Sequence, residues 1–317
     1  MTDLSGSLMT EHGHHLSLLD KAATWVSWAL AGAIFLTVGW LAMAPDDPLG
    51  AVSVLTRHGA WMMLLQAAGL AAVTAALAAV IAGRRLPEVG TLAAALGLAA
   101  VSLRGATAGA LLIEWADVAP VSQSGLPLQL ALEAIAWFAI IFLARGFSIG
   151  VGQWCFGDRL CGTALEQWAR PKDSMADGLK HTLLAGGAAL LTFKILSAGL
   201  STRSVQHGQA CFVVAASVCI ALYLASWVVP VRSAVWSILS VPLLAVGGYV
   251  WARFGPAPGG LPASVPASPF LRVLPIQYIS VGTAAAVAMF WYLVHPELRS
   301  ANPSHLSSPH ASPEGST

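Results

Sequence analysis

Three ionisable side chains stand inside apolar runs: Arg104 in AAVSLRGATAGALL, Glu133 in LQLALEAIAWF and Lys194 in LLTFKILSAG. A charge at the centre of a bilayer costs about 2.5–3.5 kcal/mol on insertion scales, so such groups turn inward and find partners. Two cations beside one carboxylate could bind an anion, a proton or a zwitterion in an outward-facing vestibule, as transporters do. They could equally form a dry ion pair, Arg104–Glu133 or Lys194–Glu133, that fixes helix packing. Gln66 and Gln277 fall at nearly the same height in their own runs, and Glu114, near the end of its run, could balance the second cation. At ~1.5 Å per residue, the expected arrangement is one polar layer roughly 9 Å beneath one membrane surface.

Other spacings carry less. Gly105 and Gly109 form a G-x-x-x-G beside Arg104, a pattern that lets a neighbouring helix approach closely, and the Gly186–Gly187 pair reads the same way. His58 and His207 sit at the ends of runs on one side, His181 and His295 on the other. They read as interfacial residues rather than haem ligands, which a membrane-embedded ring would need within the helices. Glu11-His12-Gly13-His14-His15 lies on a polar tail and reads as solvated rather than as a metal site. Cys155 and Cys161 are separated by five residues with no second pair nearby, which is not a zinc spacing. Cys211 and Cys219 read as small apolar fillers. Gly150-Val151-Gly152 has neither a preceding strand nor a third glycine, and no phosphate-loop lysine, nucleophile elbow or H-E-x-x-H occurs. Nothing in these spacings nominates an enzyme or a cofactor.

The elements that must position these residues follow from composition. Of 317 residues, 56% are hydrophobic and 10% charged. A soluble domain carries about 25% charged residues, so the solvent of this chain is largely lipid. A net charge of +1 excludes the clustered basic excess that nucleic-acid binding needs. The expected fold is all-α, a polytopic integral membrane helix bundle with about eight transmembrane helices. Runs of about 20 apolar residues, enough to cross ~30 Å of hydrocarbon, are read at 23–43, 60–82, 89–113, 127–144, 181–200, 208–230, 235–252 and 273–294.

Polar tails flank this domain of 23–295, at 1–22 and at 296–317, the latter expected to be disordered. The first apolar run lacks the features of a cleaved signal and is expected to be retained as a span. Within the domain, 146–180 is expected as a surface segment with an amphipathic helix over Asp158–Ala169. Ser174 and Asp177 could open the fifth span as an S-x-x-D cap. The Pro/Gly-rich stretch 254–270 reads as a spacer on the opposite side. Trp25, Trp28, Trp40, Trp61, Trp115, Trp137, Trp227, Trp236, Trp251 and Trp291 mostly fall near run ends, the expected belt at the headgroups.

Basic loop residues set the orientation. Lys21, Arg84, Arg85, Arg145, Arg159, Arg170, Lys172, Lys180, Arg232 and Arg299 lie on the side of the N-terminus, against Arg57, Arg203, Arg253 and Arg272 on the other. Both termini are therefore expected in the cytoplasm, as in a bacterial inner membrane protein. Expected partners are the lipid bilayer, with further chains or a second copy, or a small polar solute. The functional expectation is a non-catalytic membrane subunit or scaffold. A permease using the Arg/Glu/Lys cluster is the alternative, and an intramembrane enzyme or haem carrier the third.

Overall fold

The computed structural model describes residues 18–47, 50–83, 86, 88–116, 125–156, 174–198, 206–231, 233–254 and 268–294, with Asp20 and 114–116 described in backbone only. Nine helices are present among them. Helix α1 (Leu18–Ile34) runs on through a π-helical segment (Phe35–Gly39) and Trp40–Met43. There follow α2 (Ala60–Ala82), α3 (Val89–Ser102), α4 (Ala108–Ala116), α5 (Leu126–Phe156), α6 (Met175–Ser197), α7 (His207–Val228), α8 (Ala234–Phe254) and α9 (Pro275–Val294). Seven of these elements are long and apolar enough to span a membrane, and α3 is a shorter apolar helix. The protein is an all-α polytopic membrane bundle, because only a helix satisfies its own backbone in lipid.

The expected spans correspond to these elements with two corrections. The run 89–113 is not one helix: it stops at Ser102 and resumes at Ala108. The run 127–144 continues as one helix to Phe156, so 146–156 extends the helix of that span instead of beginning a separate segment. Its 31 residues measure ~46 Å, longer than the hydrocarbon layer. In consequence Arg145 is not a loop base; it is buried, 4% exposed, within α5. The fifth expected helix begins at Met175, opened by the expected S-x-x-D cap, with Ser174 Oγ accepting from Asp177 N at 3.1 Å and donating to Asp177 Oδ2 at 2.7 Å. The expected surface helix over 158–169, most of the 254–270 stretch and both tails lie outside the described residues.

Helix α3 is the hub. Twelve of its fourteen residues are buried, and it packs against α1, α2, α5 and α9. Small residues make this approach feasible. A Cβ on Gly90 would lie 2.0 Å from Ser148 Oγ and 2.6 Å from the Ala75 carbonyl oxygen, and one on Gly97 would lie 2.2 Å from the Phe35 ring. Helix α9 is the second axis, touching α3, α5, α7 and α8; it is the most buried of the spanning helices, and α1 the least. Fourteen residues of α3 rise ~21 Å, too little to cross ~30 Å of hydrocarbon. Its first and last residues, Val89 and Ser102, are fully buried, while Leu103 and Arg104 just beyond are exposed; side chains and loops must meet its terminal backbone groups.

Candidate functional site

We call the face where α1 begins the near face and the one where α2 begins the far face. The buried Glu and Arg residues among those described, Glu88, Arg145 and Glu133, lie toward the two ends of α3. At the near end, Glu88 stands at the N-terminus of α3 and is 5% exposed. Its carboxyl group lies within electrostatic reach of the buried Arg145 of α5, and an acidic residue suits the positive end of a helix dipole.

The far end is more elaborate. The α1–α2 connection folds back into the bundle, burying Ala51, Val52 and Ser53. Glu133 of α5, 4% exposed, receives it: Ser53 Oγ lies 2.6 Å from Oε2, and Val54 N donates to Oε1 at 3.0 Å. One helical turn on, Trp137 Nε1 donates to the same Oε1 at 3.0 Å. Thr56 Oγ1 closes the loop on itself by donating to the carbonyls of Ala51 and Ser53, and Arg57 donates to the Ala42 carbonyl at the end of α1.

The α3–α4 break docks on the same loop. Ala106 N donates to the Gly50 carbonyl at 3.0 Å, and Ala51 and Ala106 form an isolated parallel bridge. Glycine is required at 105, since a Cβ there would stand 2.7 Å from Val52 Cγ2. Arg104 leaves the break toward α1. Its Nη1 donates to the Leu36 carbonyl at 2.6 Å, and its guanidinium lies 4.7 Å from the Trp40 ring centroid. Leu36 lies in the π-helical segment, where the widened turn relaxes the ordinary i→i−4 ladder and leaves a carbonyl open to an outside donor. On the other side of the break, His207 Nε2 lies 2.9 Å from the Gly105 carbonyl, and Nδ1 lies 2.8 Å from Gln277 Nε2 of α9.

A buried aromatic group supports the neighbouring turn Pro269–Arg272 before α9. Tyr249 and Tyr278 donate to the carbonyls of Val273 and Phe270 at 2.7 and 3.2 Å. Phe193 stacks on Phe270 with centroids 5.0 Å apart.

The expected single polar layer thus resolves into separate engagements. Among the described residues no ion pair joins Glu133 to Arg104 or Lys194. Glu133 and Gln277 are buried, as an interior role requires, and Arg104 is linked to them only through the loop and break. Lys194 is exposed, its Nζ 4.8 Å from the Trp251 ring centroid. Gln66 is exposed on α2, and the side chain of Glu114 is not among those described. The G-x-x-x-G does not pack helices: Gly105 lies in the break, and a Cβ on Gly109 would meet no other helix. Gly186 does pack, against Leu243, whereas Gly187 faces open space.

The histidines also depart from the interfacial expectation. His58 conforms, exposed beside Asp46 at 3.3 Å. His207 is engaged as above, and His181, 1% exposed, has Nδ1 2.8 Å from the Val229 carbonyl. Trp137 is no belt residue, being fully buried. Among the described residues no three of the His, Cys, Asp and Glu side chains come together as a metal site.

Sequence reasoning missed Ser53, Glu88 and the two tyrosines, and gave Trp137, His207 and Arg145 other roles. The Glu133–Trp137 pair was findable, since residues four apart share a helix face. The others depend on where the α1–α2 loop and the α3–α4 break return, which no local spacing encodes. No protein-family model, no curated protein and no solved structure matches the chain.

Proposed function

We propose that the protein is a non-catalytic membrane subunit or scaffold, whose work is done by the surfaces it offers to other chains. The observation that carries this is the state of Glu133: both its oxygens are occupied by donors from the protein's own loop and helix. A carboxyl group so occupied holds structure in place rather than waiting for a solute. The lipid-facing side is well supplied for contact. Leu143, Phe147 and Trp154 of α5 are 67%, 51% and 87% exposed, beside Gly146 and Gly150, where an added Cβ would meet nothing. The basic surplus on the side of the N-terminus survives the loss of Arg145 from the loop set, which favours cytoplasmic termini in a bacterial plasma membrane.

The α3–α4 break favours a second reading, a permease for a small polar or anionic solute, because interrupted helices build many transporter sites. Gentle-detergent purification with mass measurement separates the two. The scaffold reading expects a particle heavier than the 32.8 kDa chain, with defined stoichiometry, that persists in Glu133→Gln. A folded monomer whose solute uptake in liposomes disappears in Glu133→Gln would overturn it in favour of the permease.

A further inference from the structure

The partners of His207 fix where its proton sits. The Gly105 carbonyl, 2.9 Å from Nε2, can only accept, so Nε2 carries hydrogen. The other nitrogen, Nδ1, faces Gln277 Nε2 at 2.8 Å. That amide is oriented by its far side, where Oε1 accepts from Leu274 N at 3.3 Å. Its NH₂ group therefore points at the ring, and Nδ1 accepts. Only a neutral imidazole with its hydrogen on Nε2 satisfies all three bonds. A second proton, on Nδ1, would set N–H against N–H. Turning the amide over would remove the acceptor from Leu274 N at the start of α9.

The location suits a response to the medium. His207 is the first residue of α7 and only partly buried, whereas Gln277 is 1% exposed. A proton can reach the ring, while the conflict it creates falls on a buried partner. Among the described side chains, the charged groups on the surrounding elements are Arg104 on the break, Arg272 on the turn before α9 and Glu133 on α5; Glu114 of α4 is described in backbone only. Arg104 is spent on the Leu36 carbonyl and Trp40, and Glu133 on Ser53, Val54 and Trp137. Neither carries a hydrogen bond to His207. On its own helix, Gln206 and Gln209 form a capping box and carry no charge.

We propose that His207 and Gln277 form an acid-released latch at the far face. Protonation of His207 frees the start of α9, with the turn before it, from α7, while the bond from Nε2–H to Gly105 is kept. This inference does not depend on the scaffold reading.

The test is hydrogen–deuterium exchange of the full chain in nanodiscs, followed over 271–279 at about pH 7.5 and about pH 5.5, the range where histidine chemistry operates. After correction for intrinsic exchange, the wild type should exchange about tenfold faster at the lower pH, the effect of losing one buried hydrogen bond. His207→Gln should remove the difference. Gln277→Glu should invert it, because a carboxylate accepts from the protonated Nδ1. Equal protection of the wild type at both pH values, or the same acid response in His207→Gln, overturns the latch. Should His207→Gln not fold, the sign of the response in Gln277→Glu decides alone: inversion supports the latch and an unchanged sign refutes it.

Discussion

The side chain that most shapes the interior is Glu133, and its environment sets what substitution should do. Three donors converge on two oxygens. Glu133→Ala strands all of them, and at about 1–3 kcal/mol per unsatisfied buried group the chain should lose most of its thermal stability in detergent. Glu133→Gln keeps one carbonyl acceptor, so its midpoint should fall far less; equal losses in the two variants would refute the account. Arg104→Ala should cost about 1–2 kcal/mol, from one hydrogen bond and one exposed cation–π contact, with Arg104→Lys recovering part of it in the same melt. Legibility at this scale was uneven. That Arg104, Glu133 and Lys194 were exceptional could be read directly, because a charge in an apolar run is costly wherever the chain folds. Their partners could not be read, since Ser53 and Leu36 enter the picture only when distant segments return to them. Lys194 shows the limit most clearly: near a helix end, a long side chain reaches the surface and a tryptophan instead of the core.

Among the elements, the long apolar helices were legible to within a few residues, because hydrocarbon thickness imposes their length. Helix α3 was not. Its run of small apolar residues continues through the break into α4, so hydropathy reads one span where the backbone makes two helices. What interrupts it is tertiary: Gly105 admits the α1–α2 loop, and Ala106 takes its acceptor from Gly50 rather than from its own helix. The extension of α5 was hidden for the opposite reason. Arg145 looks like a boundary in sequence and is a buried charge opposite Glu88 in space. Packing around α3 yields a sharp expectation. Gly97→Val places branched carbon into the Phe35 ring, and overpacking of this kind costs about 1–3 kcal/mol or more. Pairing it with Phe35→Ala should restore part of the loss, and strict additivity of the two unfolding energies would show that the contact is unimportant.

For the molecule as a whole, seven helices are long and apolar enough to span; we propose that the broken α3–α4 unit completes an even number of passages, which would put residues 18 and 294 on one side. With the four native cysteines replaced, Leu18→Cys and Val294→Cys should both react with an impermeant thiol reagent from the cytoplasmic side alone. Labelling from opposite sides would break the topology, and labelling of both from outside would reverse the basic-residue argument. The all-α membrane class was the most legible feature in the sequence, because it rests on composition rather than on any contact.

The submerged central helix also bears on how the protein is made. A segment of about 21 Å gains little by entering lipid alone, and one of its main neighbours, α9, is synthesised long after it. During translation the α3 region is expected to wait, shallowly inserted or shielded by an assistant, until α9 arrives to enclose it. Ribosome stalling or premature termination before α9 would then leave a defect in the middle of the bundle, and such truncated chains should be cleared by membrane proteases far faster than chains lacking only the polar tail beyond Val294.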